Sequence, residues 1–165
     1  MIRTVSTAVL VVLAAPCGGV LADESRDAIA APTGTSPLKV HALGAQIYDC
    51  RTDSGGHLAW TFREPVASLM SGGKTVGRHY AGPTWEMADG SLVVGKVVAK
   101  APGLSAADIP WLKLAVSERK GDGSLKDVTT VQRIATEGGT KDGPCPVEGA
   151  SAAQPYAADY IFSRP

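Results

Sequence analysis

Residues 45–63 read AQIYDCRTDSGGHLAWTFR, two alternating segments joined by a polar turn. In the second segment Leu58, Trp60 and Phe62 alternate with small or polar residues. A period of two residues sends successive side chains to opposite faces of a strand. The intervening residues 53–56, Asp-Ser-Gly-Gly, have the composition of a tight turn. This stretch therefore predicts a β-hairpin with one face directed toward a core.

Three further hairpins are predicted downstream. Glycine-containing turns at residues 71–74, 89–90 and 121–124 each separate two segments of strand composition. The predicted pairs are 67–70 with 76–80, 84–87 with 92–100, and 111–117 with 128–136, followed by a closing strand at 156–163. Only residues 106–109 look helical, for one turn at most. About eight or nine short strands at this spacing predict an all-β fold, either an antiparallel β-sandwich or a barrel.

The amino-terminal residues 1–22 have the features of a secretory signal peptide. A short positively charged start and an apolar run at 7–15 precede a predicted cleavage before Asp23. A lipoprotein signal with a lipidated Cys17 is the alternative, which the adjoining Pro16 disfavours. The sequence therefore predicts a secreted or periplasmic protein.

The rest of the chain is predicted to be a short leader and one domain. Residues 23–37 are rich in Ala, Ser, Thr and Pro and predict a flexible lead-in, and residues 38–165 predict a single β-domain. Of three cysteines, Cys17 is removed with the signal, which leaves Cys50 and Cys145 as an even pair in an oxidising compartment. A disulfide between them is predicted. Two free or metal-bound thiols are the alternative, although the pair lacks Cys-x-x-Cys spacing.

Composition and motifs argue against several classes of protein. The chain has 16 basic and 16 acidic residues, and the basic residues are not clustered in a run. Nucleic acid is therefore not a predicted partner. After residue 22 the sequence has no second apolar run of membrane-spanning length. No contact with a membrane is therefore predicted after signal cleavage. Residues 68–75 end like a phosphate-binding loop, but Ser68 replaces its first glycine and no helix pattern follows, which indicates a hairpin turn. His41, His57 and His79 lack metal-binding spacing, so neither a metal nor a cofactor is predicted.

Residues 78–91 hold the densest concentration of groups that bind, titrate or stack. The candidate binding residues are His79, Tyr80, Trp85 and Glu86. A hairpin would bring His79 near the strand that carries Glu86, and a histidine beside a carboxylate can act as a general base. In the structural interpretation, Trp85 packs in the core and Glu86 points to solvent. No catalytic residue is assigned.

Arg133 has two interpretations as well. It lies in the strand-like run Val131-Gln132-Arg133-Ile134. It either marks the end of a strand or pairs with an acidic group or a ligand carboxylate, and the structural role is the favoured one.

An ordered set of short motifs resembles the family known as domain of unknown function 3455, whose members are small secreted bacterial and fungal proteins. The motifs are Ala45-Gln46-Ile47-Tyr48-x-Cys50, Trp60-x-Phe62, His79-Tyr80-Ala81-Gly82-Pro83-Thr84-Trp85-Glu86 with Asp89-Gly90-Ser91, Ile109-Pro110-Trp111-Leu112, Gln132-Arg133 with Thr136-x-Gly138-Gly139, Cys145, and Tyr156-x-Ala158-Asp159-Tyr160-x-Phe162. The resemblance covers nearly all of the chain from about residue 37. It implies one secreted domain with a Cys50–Cys145 bridge and supplies no activity. Some fungal relatives carry the name malate dehydrogenase, but this chain has no glycine loop for a dinucleotide.

These observations lead to one functional expectation and two alternatives. We expect a secreted β-domain that binds a small molecule, a glycan or an envelope partner near residues 79–86. The first alternative is an enzyme, a hydrolase or isomerase with His79 and Glu86 as an acid–base pair. The second is a structural envelope protein without a pocket. Catalytic activity is not the favoured interpretation.

Overall fold

The computed structural model describes residues 26–30 and 37–165. Its eight antiparallel strands form one closed barrel, in which each strand pairs with its sequence neighbours and the last pairs with the first. The strands are β1 (Leu38–Thr52), β2 (Leu58–Ser71), β3 (Lys74–Tyr80), β4 (Thr84–Met87), β5 (Leu92–Ala101), β6 (Trp111–Lys120), β7 (Thr130–Gly138) and β8 (Ser151–Ser163). The predicted all-β fold is confirmed, as a barrel, and so is the Cys50–Cys145 disulfide. The predicted signal peptide, residues 1–22, lies outside the described residues.

The four predicted hairpins are present, but several strands are longer than the sequence pattern indicated. Residues 58–63 and 67–70, predicted as two strands, belong to the single strand β2. Pro65 interrupts the alternation there, yet this part of β2 has only β1 as a neighbour. A residue without an N–H group is tolerated on such an unpaired edge. The segment 106–109 takes part in one turn, in which the Asp108 N–H donates to Ser105 O at 3.2 Å.

One end of the barrel is filled with apolar side chains. The strand residues that pack there are all buried, and they include Val40, Leu69, Val93, Val131 and Phe162. Leu125 and Val128, from the connection between β6 and β7, are fully buried in the same cluster. Burying these side chains supplies the main favourable free energy of folding. Because these side chains are buried against one another, they fill the interior of this end of the barrel.

The wall of the barrel is interrupted near the other end. β2 pairs with β3 only from Ala67 onward, and β5 pairs with β4 only as far as Val94. Residues 58–60 of β2 pair with residues 143–145, but residues 61–66 of β2 and 95–101 of β5 have no strand between them. The connection at residues 81–83 lies beside this gap, where the Gly95 N–H donates to Pro83 O at 3.0 Å. The short strands β3 and β4 therefore leave an opening into the barrel.

Residues 26–30 of the predicted lead-in lie on the outer surface of β6 and β7. The Gln132 amide donates to Ile29 O, and Lys113 Nζ donates to Ala30 O at 3.1 Å. The Arg26 guanidinium lies 5.0 Å from the centre of the Trp111 ring. Ile29 itself is only 3% exposed. These contacts attach the segment to the barrel wall, and within the described residues no helix is long and apolar enough to cross a bilayer.

Candidate functional site

A cavity of about 540 Å³ occupies the open end of the barrel. It extends from the gap between β2 and β5 into the interior. Its apolar lining is supplied mainly by Tyr48, Phe62, Trp85, Leu112, Leu114 and Tyr160. Its polar lining is supplied by Gln46, Arg63, His79 and Arg133, and no Asp or Glu is among the lining residues. Strand alternation explains most of this arrangement, because every second residue of a strand faces the interior. The adjacent Phe62 and Arg63 both line the cavity, since this part of β2 borders the gap in the wall.

His79 lies at the inner wall of the cavity and is 2% exposed. Its ring stacks on Trp85 with 4.6 Å between the ring centres, and it meets the edge of Tyr160 at 5.0 Å. The Nδ1 atom lies 2.8 Å from Thr84 O. A carbonyl oxygen only accepts hydrogen bonds, so Nδ1 carries the proton. In the neutral ring, Nε2 is then a hydrogen-bond acceptor.

The protonation state of His79 is fixed by its surroundings. Burial disfavours the charged ring and lowers the pKa of His79 to about 3, and the positive charge of Arg133 acts in the same direction. The hydrogen bond to Thr84 O opposes this shift and does not overcome it. His79 is therefore neutral near pH 7. With so low a pKa it is a weak general base, and a well-defined hydrogen-bond acceptor.

The four candidate residues do not form a single site, because the barrel wall divides them. His79 pairs with Trp85 across β3 and β4, and both side chains point inward. Glu86 pairs with Arg78 and points outward. On that outer surface Glu86 Oε2 accepts hydrogen bonds from Arg78 Nη2 and Tyr80 Oη, each at 2.8 Å. His79 and Glu86 therefore make no acid–base pair.

On the outer surface Arg78 and Glu86 form an ion pair, and the Tyr80 hydroxyl donates a hydrogen bond to the same carboxylate. The hydrogen bonds from Tyr80 and Arg78 lower the pKa of Glu86. Burial and the nearby Glu86 carboxylate raise the pKa of Tyr80. Both side chains therefore keep their usual charges near neutral pH, Glu86 ionised and Tyr80 neutral.

Arg133, for which the structural role was favoured, faces the cavity from β7. Its Nε and Nη2 atoms donate to Pro110 O at 3.0 and 2.9 Å. Within residues 26–30 and 37–165 no carboxylate lies within 4.0 Å of its guanidinium. Arg63, the other cation of the lining, contacts Asp49 at 2.9 Å and Glu64 at 3.0 Å. The cavity thus presents one cation without a charged partner.

Three further polar groups in the lining are buried without a hydrogen-bond partner among the described residues. They are Gln46 Nε2, Trp85 Nε1 and Tyr160 Oη. Each of these residues is 2% exposed or less. Buried polar atoms in folded proteins almost always have partners, and leaving one unpaired costs about 1–3 kcal/mol. All three can donate a hydrogen bond.

The chain matches a family model described as "Protein of unknown function (DUF3455)" over residues 31–164. The chain belongs to this family. The predicted resemblance is thereby confirmed, and the match includes all eight strands and every residue of the cavity lining. No curated protein and no solved structure matches the chain.

The rim of the cavity in this DUF3455 protein is ordered by the connection between β7 and β8. Tyr48 Oη donates to Gly139 O at 2.7 Å. Gly139 has a φ of +88°, and a Cβ atom there would lie 2.9 Å from Tyr156 Cβ and 3.1 Å from Gln46 Cγ. Only glycine fits so close an approach at that backbone angle.

Among the residues that the structure describes, no three His, Cys, Asp or Glu side chains are grouped so that they could hold a metal ion.

Gln46 and Tyr160 belong to the site but were not predicted as members of it from the sequence. Their signal was the alternation itself, because each lies on the inward-facing side of its strand. That face became a cavity lining only through the closure of the barrel.

Proposed function

We propose that this DUF3455 protein binds a small molecule inside the open end of its barrel. The observation that carries the proposal is the cavity of about 540 Å³, whose lining contains buried polar atoms without partners. Small-molecule sites are mostly apolar clefts of roughly 300–1,000 Å³ with a few convergent polar groups. An eight-stranded barrel leaves interior space for one such ligand.

The shape and lining of the cavity favour a small molecule over the other expected partners. A glycan chain or an envelope protein would need an extended surface, whereas the unpaired donors here belong to buried residues. The enzyme alternative lacks its acid–base pair, since His79 faces the cavity and Glu86 the outside. The alternative without a pocket receives no support from a barrel that holds a cavity.

Filling the mouth of the cavity is expected to abolish binding. Val97 and Val98 are adjacent, of the same type and similarly exposed, at 47% and 59%, but only Val97 lines the cavity. Val97→Trp places an indole in the opening, whereas Val98→Trp enlarges a side chain outside it. The probe is N-phenyl-1-naphthylamine, an uncharged dye that fluoresces strongly in apolar surroundings.

The expected result is saturable dye fluorescence with the wild type and Val98→Trp, and at least about tenfold weaker binding with Val97→Trp. Circular dichroism and thermal unfolding establish that both variants are folded. Equal binding by all three proteins would place the dye elsewhere. No saturable binding by the wild type would count against the proposal.

We further propose that the protein is exported and that its mature form begins at Asp23. The Cys50–Cys145 disulfide fits an extracellular or periplasmic compartment, where such bonds persist. Intact-mass spectrometry of protein recovered from an exporting bacterial host is expected to give the mass of residues 23–165 with one disulfide. A mass that includes residues 1–22, or a lipid on Cys17, would contradict this proposal.

A further inference from the structure

The charge distribution in the cavity indicates more than a preference for small molecules. Twelve of its seventeen lining residues are apolar or aromatic, and none is acidic. Arg63 is neutralised by Asp49 and Glu64. Arg133 therefore contributes the single positive charge in the lining that no described carboxylate balances.

The Arg133 guanidinium is oriented by the fold. Pro110 O accepts two of its five N–H groups, from Nε and Nη2. The planar group is thus held in one orientation, and both hydrogens of Nη1 and one of Nη2 remain for another acceptor. A guanidinium edge of this kind matches the two oxygens of a carboxylate.

Three other polar atoms of the lining residues have the same preference. Gln46 Nε2 and Trp85 Nε1 can only donate, and Tyr160 Oη can donate. Within the described part of the chain Gln46 Nε2 and Trp85 Nε1 have no partner, and the Tyr160 hydroxyl, which lies beside Arg133 and Tyr156, makes no hydrogen bond of good geometry with either. An acceptor-rich group would satisfy such donors, whereas a cation would meet only Arg133 and further donors.

We propose that the ligand is an organic monoanion, a carboxylate on an apolar or aromatic body, with its acidic group at Arg133 and its body against Trp85, Tyr160 and Leu112. One unbalanced cation matches one negative charge. The neutral His79 ring leaves Nε2 to accept a hydrogen bond from a hydroxyl or amine on the same ligand. This inference rests on the proposed binding function and specifies the class of ligand.

The test compares carboxylic acids with amides of the same carbon skeleton. The probes are phenylacetate with phenylacetamide, and hexanoate with hexanamide, measured by isothermal titration calorimetry at pH 7. Wild-type protein is expected to bind each acid about tenfold or more tightly than its amide, as charge-assisted hydrogen bonds require. Arg133→Met should bring the acid-to-amide ratio close to one, and Arg133→Lys should restore part of the preference through its charge.

The outcomes separate this inference from the proposed function. If acids and amides bind the wild type equally, the ligand class is wrong and the binding function stands. If neither binds the wild type, the ligand class is wrong, and the dye experiment alone decides the binding function. If Arg133→Met is folded and keeps the preference for acids, the role of Arg133 is wrong. If that variant does not fold, the wild-type comparison and Arg133→Lys still decide the matter.

Discussion

Removing the Cys50–Cys145 disulfide is expected to destabilise the protein by about 4–5 kcal/mol. The bridge joins residues 95 positions apart, so its loss frees a long loop in the unfolded chain. On the chain-entropy account, the stabilisation grows with the length of the closed loop. Among the described residues there is no second disulfide.

The bridge also anchors the connection between β7 and β8 in the folded protein. Next to it, the Cys50 N–H donates to Ala150 O at 2.7 Å, and the Cys145 N–H donates to Leu58 O at 3.2 Å. The same connection holds Gly139, whose carbonyl accepts the Tyr48 hydroxyl at the cavity rim. Loss of the bridge should therefore loosen the rim as well as lower overall stability.

Differential scanning calorimetry of the Cys50→Ala/Cys145→Ala double variant measures this effect. A fall in melting temperature of about 10 °C or more is expected for a domain of this size. Reductant should lower the wild type toward the variant and leave the variant unchanged. A variant as stable as the oxidised wild type would show that the bridge contributes nothing.

Acidification below pH 6.5 is expected to destabilise the barrel through His79. The unfolded chain binds a proton on this ring near pH 6.5, whereas burial lowers the pKa in the folded state to about 3. Between these values the unfolded state holds more protons, so stability falls as the pH falls. Above pH 6.5 His79 is neutral in both states and causes no loss of stability. Between pH 6.5 and pH 3 the free energy of unfolding falls by at most about 1.4 kcal/mol for each pH unit.

His79→Asn provides the matched control for this pH dependence. The asparagine amide can still donate to Thr84 O but does not titrate. Urea unfolding from pH 7 to pH 5 should show a steeper loss of stability for the wild type than for the variant. This window lies above the range in which most carboxylates titrate. Parallel curves for the two proteins would mean that His79 titrates normally in the fold.

The strands were predictable because their signals are local. Alternation in residues 45–63 and turn residues such as Asp89 and Gly90 act over a few positions, and Gly90 has the positive φ, +81°, that its turn requires. Closure was not predictable in this way. It depends on the pairing of β1 with β8, residues more than a hundred positions apart.

The candidate site was half predictable for the same reason. His79 and Trp85 were identified, and Tyr80 and Glu86 were grouped with them because they are close in sequence. Opposite register positions in the hairpin already separate the two pairs, since His79 faces Trp85 and Arg78 faces Glu86. The role of Arg133 required the barrel, because only closure brings β7 across the cavity from β3.

The most direct test of ligand binding inside the barrel uses the three tryptophans as internal reporters. Trp85 lines the cavity, and Trp111 lies under Arg26 on the outside, whereas Trp60, under Lys141, lines a neighbouring pocket that shares Tyr48 and Phe62 with the cavity. With ¹⁵N-labelled tryptophan, each indole N–H gives one resonance in a two-dimensional spectrum. Adding N-phenyl-1-naphthylamine is expected to shift the Trp85 resonance and leave the Trp111 resonance in place. A shift confined to Trp60 or Trp111, with Trp85 unchanged at saturation, would contradict binding in the cavity.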